Sequence, residues 1–245
     1  MPGVSPTVAA SDADRLRRVA RQHAQTTRLL GVDFLPLPAR KPVLAPEPAD
    51  PDPGAGDRAA LLAALRARHD AQCPHCTRAK GYTQTVFGDG SPAARLMFIG
   101  EAPGAEEDRT GVPFVGRAGQ KLNEMIGAMG LTREEVYIAN VLKARPPENA
   151  TPTPEEASRC GPYLLEQVRI IQPKVIVTLG KPAANFLLRN SEAMGALRGH
   201  WHDFEGIPVM PTFHPAYLLR AYTPENRKKV WSDLQQAMSR LSASQ

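Results

Sequence analysis

Apolar residues recur along this chain with two different periods, and the two alternate. Leu96-Met-Phe-Ile99, Val136-Tyr-Ile-Ala-Asn-Val141, Lys174-Val-Ile-Val-Thr-Leu179 and Val209 to Phe213 are short, dense in apolar and β-branched residues, and read as buried strands. Between them the spacing shifts to that of helices: Asp57 to about His69, Gly119 to Met129, Thr153 to about Val168, Pro182 to Leu188, and residues 224–242. In the last of these Val230, Leu234, Met238 and Leu241 share one face. Local signals fix several ends. Gly130 closes the second helix, Thr132-Arg-Glu-Glu135 resembles a capping box, and Pro154 takes the first position after a Thr153 cap. Strands separated by helices predict an α/β fold with a mainly parallel sheet covered on both faces. In such a sheet the strand ends Gly100-Glu101, Asn140-Val141 and His214-Pro215 fall on one edge, where open α/β sheets bind ligands.

The N-terminal part reads differently. Residues 11–31 have helical spacing at Leu16, Val19, Ala20 and His23, with Ser11 or Asp12 as cap. Residues 32–56 hold seven prolines (36, 38, 42, 46, 48, 51 and 53) and read as a semi-extended linker. Residues 1–56 are therefore expected to be an appendage, and residues 57–245 the folded domain.

No apolar run approaches the ~20 residues that span a bilayer. The first residues, Met-Pro-Gly-Val-Ser-Pro, lack a basic stretch followed by an apolar one, so the expected location is the cytoplasm, at the nucleoid. A net charge of +5 fits either a basic surface or a nucleic-acid partner. The three cysteines, Cys73, Cys76 and Cys160, are an odd number. Two form a Cys-x2-Cys pair, which argues for metal or redox chemistry over disulfides.

The chemistry gathers at the strand ends. Gly100-Glu-Ala-Pro-Gly104 is a tight loop with carboxylates just beyond it at Glu106, Glu107 and Asp108. A glycine-rich stretch follows, Thr110 to Gly119, with one aromatic, Phe114, and then Arg117 at a helix start. Phe114 can stack on a flat ligand, and the helix start with Arg117 suits a phosphate. Asn140 offers one acceptor and two donors, a pattern that reads a pyrimidine edge. His214 can stabilise negative charge on a leaving group. Leu218-Leu219-Arg220 combines an apolar wedge with a cation. Each also has a plain reading: a turn after a strand, a buried loop anchor, a satisfied turn residue, a structural histidine, the first turn of a packed helix.

Taken together, Gly100 to Asp108 with Gly111-Val-Pro-Phe-Val-Gly-Arg-Ala-Gly119, Tyr137-Ile-Ala-Asn-Val-Leu-Lys-Ala-Arg-Pro-Pro147 and Phe213-His-Pro-Ala-Tyr-Leu-Leu-Arg220 resemble, in order, the three signatures of family 4 uracil-DNA glycosylases. The resemblance covers about residues 73–240. It implies a three-layer α/β/α sandwich around a mainly parallel four-stranded central sheet. It also implies a monofunctional glycosylase that flips deoxyuridine from single- or double-stranded DNA and hydrolyses its N-glycosidic bond. By position, Phe114 would stack on uracil, Asn140 would read its edge and His214 would stabilise charge on O2. Gly100, Ala102 and Gly104 would shape the pocket, with the amides of Ala102 and Gly104 available to it. Glu101 would handle the water and the cation-like sugar. Leu218 or Leu219 would wedge into the stack, and Arg117 and Arg220 would meet the DNA backbone. A monomer is expected.

The family carries a [4Fe–4S] cluster on four cysteines. Cys73, Cys76 and Cys160 match three, and Ala144 stands where the fourth belongs. Three readings follow: a cluster completed by another ligand, such as His75, water or a carboxylate; a different metal such as zinc; or no metal. Two functional alternatives keep the fold: a relative that traps uracil-DNA covalently, and a DNA-binding module without catalysis. The trapping type has Gly-Glu-Gln-Pro-Gly and a His-bearing basic insertion, whereas this chain has Ala102 and runs directly through Arg145-Pro-Pro147.

Overall fold

Leu96 and Phe98 point to one face of the sheet and Met97 and Ile99 to the other, and all four are buried. This two-sided burial is why the strand is apolar throughout. The structure is a computed structural model and describes residues 54–243. The helix expected over residues 11–31 lies outside them. The elements run α1 (Ala55–Gln72), β1 (Asp89–Gly90), β2 (Leu96–Gly100), α2 (Ala105–Thr110), α3 (Arg117–Ala128), β3 (Tyr137–Asn140), α4 (Pro154–Ile171), β4 (Val175–Leu179), α5 (Lys181–Leu188), α6 (Met194–Leu197), β5 (His202–Phe204), β6 (Ile207–Thr212), α7 (Pro215–Arg220) and α8 (Pro224–Ala243).

The sheet order is β1-β3-β2-β4-β6-β5. The central four strands are parallel, as expected. The sheet is wider than expected, with a short antiparallel strand at each edge. Both additions were hidden by turn chemistry. β1 is two residues inside Gly88-Asp89-Gly90. β5 pairs with β6 through Glu205-Gly206, whose φ angles of 51° and 82° suit a two-residue hairpin.

One face of the sheet carries α3 and α8, through Leu122, Met125, Ile126, Val230 and Leu234. The other carries α4 and α5, through Leu164, Val168, Ile171, Ala183 and Leu187. The result is the three-layer sandwich. A third, smaller cluster packs Cys73, Cys76, Leu142, Ala144 and Cys160 beside the sheet.

Register decides where the chemistry goes. Gly100 pairs with Asn140, and Leu179 with Thr212, so four strands release their chains at one edge. The chain moves from β2 outward to β3, then crosses back to β4 on the other side of β2. The crevice between β2 and β4 is thus a topological switch point.

Candidate active site

A cleft of about 570 Å³ opens at that crevice. Its lining includes Glu101 to Gly104 after β2, Asn140 at the end of β3, Gly180 and Lys181 after β4, and Phe213, His214, Tyr217 and Arg220 after β6. Phe114 enters from the loop before α3. The sequence's three signatures therefore meet in one place.

Three glycines make the meeting possible. A methyl carbon on Gly100 would lie 2.3 Å from Asn140 Oδ1 and 2.5 Å from Phe114 Cζ. One on Gly119 would lie 2.0 Å from the Phe114 carbonyl, so α3 presses directly on that loop. One on Gly180, at φ 89°, would lie 3.1 Å from His214 Cβ. Phe114 itself sits at φ 53°, a left-handed conformation that a bulky residue adopts only when its surroundings hold it there. Arg133 supplies part of that hold, donating to the carbonyls of Pro113 and Phe114 while pairing with Asp89. Phe114 is both a buried anchor and a wall of the cleft, with its ring 5.6 Å from that of His214.

The expected row of carboxylates is corrected. Only Glu101 and Glu107 line the cleft, and Glu107 is already occupied. Its Oε1 accepts from the backbone amides of Val115 (2.9 Å) and Gly116 (2.8 Å), and its Oε2 from Gly104 (3.1 Å). It ties the Gly100–Gly104 loop to the Phe114 loop. Asp108 likewise accepts from the amide of Thr83, and Glu106 pairs with Arg109. Because the Gly104 amide is spent on Glu107, it is not available to a ligand as expected. Glu101 has no side-chain partner among the described residues, and burial raises its pKa above the ordinary carboxylate value.

Asn140 is 1 % exposed, and its Oδ1 has no hydrogen-bond partner among the described residues. An orphaned buried acceptor is costly unless something satisfies it. The backbone carbonyl of Asn140 is held by Lys143 Nζ at 2.8 Å, and that ammonium also donates to Gln167 (2.6 Å). Lys143 is fully buried, and desolvation lowers its pKa to about 8.

His214 caps α7: its Nδ1 accepts from the Ala216 amide at 3.0 Å. Nδ1 therefore carries no proton, and in the neutral ring Nε2 carries it. Burial, and then Arg220, lower the pKa of His214 to about 4 against the opposing pull of Glu107. The site thus holds a neutral imidazole.

Of the expected DNA contacts, Leu218 is corrected. It is fully buried in the core beneath α7. Leu219, its neighbour, is exposed, as is Tyr217, whose ring is tilted against that of Phe213 with centroids 4.8 Å apart. Arg220 lines the cleft, and Arg117 is exposed at the first position of α3, outside the lining.

The cysteines do not line the cleft, although Ala102, which does, packs against their cluster. Cys73, Cys76 and Cys160 are buried, and their donor atoms lie within 4.8 Å of one another together with a fourth, from His69. His75 does not join this group. Three sulfurs and an imidazole are a donor set for a soft or borderline metal. The sequence reading missed His69, although a histidine one helical turn before a Cys-x2-Cys pair is a legible signal. It likewise missed Glu107 and Lys143 as holders of the pocket.

The sequence model of the Uracil DNA glycosylase superfamily matches residues 87–235. A type-4 uracil-DNA glycosylase of Thermotoga maritima is 47 % identical over 170 residues, covering 69 % of this chain and 88 % of the relative. One from Archaeoglobus fulgidus is 43 % identical over 169 residues, covering 66 % and 84 %. A type-5 uracil-DNA glycosylase of Pyrobaculum aerophilum is 30 % identical over 179 residues, covering 60 % and 79 %. The chain belongs to the uracil-DNA glycosylase superfamily and, within it, to the type-4 family. No helix among the described residues is long and apolar enough to cross a membrane.

Two outcomes follow from this geometry. Gly100→Ala should keep the fold but displace Phe114 or Asn140, and an ångström of misplacement costs about 100-fold in rate; single-turnover kinetics with a circular-dichroism control measure it. His214 should make the fold acid-sensitive. Its unfolded imidazole binds a proton near 6.5, well above the native value, so stability falls as pH drops from about 6.5 towards 4. Urea midpoints should be lower at pH 5 than at pH 7, and His214→Gln should narrow the difference.

Proposed function

We propose that this protein removes uracil from DNA as a monofunctional glycosylase, acting on a deoxyuridine turned out of the stack into the cleft between β2 and β4. The observation that carries this reading is the buried amide oxygen of Asn140, without a hydrogen-bond partner among the described residues and packed against Gly100 beside Phe114. Its Oδ1 accepts the N3–H of uracil and its amide nitrogen donates to O4. Cytosine offers the reverse pattern at those two positions and leaves both groups unpaired, a discrimination large enough to exclude it.

The bond between C1′ of the sugar and N1 of uracil breaks with its electron pair leaving on the base, which spreads the charge onto O2. His214, neutral and protonated on Nε2, donates a hydrogen bond to that oxygen as the charge develops. A neutral donor suits this task across the physiological range, because it has no proton to lose near pH 7. Phe114 stacks on the base. Glu101 faces the sugar, where its carboxylate stabilises the cation-like centre and orients the water whose oxygen adds to C1′; the proton that this water releases neutralises the departing uracil anion, giving a sugar hydroxyl and free uracil. Its raised pKa reflects desolvation, the condition under which a carboxylate interacts most strongly with a nearby positive centre. Glu107 positions both loops through their backbone amides.

Leu219 takes the role of the wedge, being the exposed leucine of the pair, and Arg220 and Arg117 meet phosphates. Either single- or double-stranded DNA containing uracil is a substrate, since extrusion leaves the base in the same pocket. Residues 57–245 carry this activity as a monomer, with residues 1–56 appended.

Asn140→Ala and His214→Ala should each lower uracil release by about 10²–10³-fold in a fluorescent or radiolabelled excision assay, while melting temperatures stay within a few degrees. Excision at unchanged rate in both variants would sink the assignment, and an SDS-resistant adduct without free uracil would identify a trapping protein instead. Binding of uracil-containing DNA should weaken as salt rises from about 50 to about 200 mM, with a shallower slope in Arg220→Ala.

A further inference from the structure

We propose that His69, Cys73, Cys76 and Cys160 hold a single tetrahedral metal ion of the zinc class, and that His69 supplies the ligand that Ala144 lacks. The position expected to bear a fourth thiolate presents a methyl group instead. Ala144 is fully buried in the same cluster as the three cysteines. Among the described residues no carboxylate joins the group, but His69 does.

His69 is built as a ligand rather than merely placed near one. It lies in the last turn of α1 and is fully buried. Its Nδ1 is 2.8 Å from Asp70 Oδ1, a carboxylate that also accepts from Thr85 Oγ1 at 2.8 Å. A carboxylate can only accept, so Nδ1 carries the proton and Nε2 keeps its lone pair. That lone pair faces the sulfurs, 3.3 Å from Cys76 Sγ and 4.0 Å from Cys160 Sγ. A carboxylate behind an imidazole is the usual support of a metal-bound histidine. The ring is flanked by Tyr163, edge-on at 4.9 Å, and by Phe87 at 5.8 Å.

Spacing chooses the metal. With bonds of about 2.3 Å to sulfur and about 2.0–2.1 Å to nitrogen, a tetrahedral ion sets two sulfurs ~3.8 Å apart and a sulfur and nitrogen ~3.6 Å apart. The sulfurs of Cys76 and Cys160 are 3.6 Å apart, and no pair of the four donors exceeds 4.8 Å. A four-iron cluster places its own irons and sulfides between the ligands and holds them further apart. The donors as they stand close around one ion. Backbone amides finish the site as they do around metal thiolates, Cys76 N to Cys73 Sγ at 3.5 Å and Lys143 N to Cys160 Sγ at 3.3 Å.

The test uses the full chain, and none of its readouts depends on uracil release. Elemental analysis of the purified protein should give about one zinc per chain, no iron and no visible absorption band. Cobalt(II) added after removal of zinc should give the thiolate charge-transfer and tetrahedral ligand-field bands of a site with three sulfur ligands and one nitrogen. His69→Ala should weaken zinc by more than about 10-fold against a chromophoric chelator. His69→Cys should restore binding and move the cobalt bands to those of an all-sulfur site. About four irons per chain with a visible band, or protein free of metal, would overturn the single-ion site. Cobalt bands that do not change in His69→Cys would overturn the role of His69, including in the case that His69→Ala fails to fold.

Discussion

The backbone hydrogen bonds accepted by one buried carboxylate hold the cleft in shape. Glu107 lies on a helix of only six residues, yet it gathers amides from both loops that flank the pocket. Without such a partner these N–H groups would be stranded at the edge of the sheet, where the ladder has ended and water is largely excluded. A carboxylate accepting several amides is a strong and directional tie. It converts two glycine-rich segments, each flexible alone, into one wall. The substitution-sensitive glycines then follow as a consequence. Once the loops are drawn together, Gly100 and Gly119 are the points where Phe114 leaves no room for a side chain, while Gly180 lies close against His214 on the other side of the crevice.

Much of this was readable from the residues. The parallel α/β architecture followed from the spacing of apolar runs, because a strand buried on both faces has no polar side to disguise it. The meeting of the strand ends followed from position, since Gly100, Asn140 and His214 end or follow strands that had to share an edge; Asn140 and His214 line the cleft there, and Gly100 does not. The edge strands were not readable. Three residues of β5 carry too little pattern, and their pairing is dictated by the Glu205-Gly206 turn and by the neighbouring β6. Nor could the sequence separate Leu218 from Leu219. Adjacent residues on a helix differ by about 100° in direction, and which one faces the core depends on how α7 docks. The acidic run 106–108 looked like one functional feature, but its members point to three different partners. His69 stands one helical turn before Cys73, but its approach to Cys160, 91 positions away, is set by the fold and not by the local sequence.

Neutral histidine and buried asparagine share a logic. Each is a polar group kept from water at some cost, and each keeps side-chain hydrogen-bonding capacity for a ligand, His214 at Nε2 and Asn140 at its amide. His214 spends Nδ1 on its own helix cap, which fixes what Nε2 can offer. Asn140 has its carbonyl pinned by Lys143, which holds the backbone beneath the amide. The pocket is thus prepared for a flat polar ring before any arrives, and little reorganisation is left to oppose binding.

The cysteine–histidine cluster has a topological meaning as well as a chemical one. Cys76 and Cys160 are 84 positions apart, and the chain between them carries β2, β3, Phe114 and Asn140. An ion held there closes that span into a ring, as a disulfide would, and strips conformational freedom from its unfolded state. His214, Leu219 and Arg220 lie outside the ring. With such an ion bound, the chain is divided into a cross-linked stretch that holds Phe114 and Asn140 and an open-ended one that holds His214, Leu219 and Arg220.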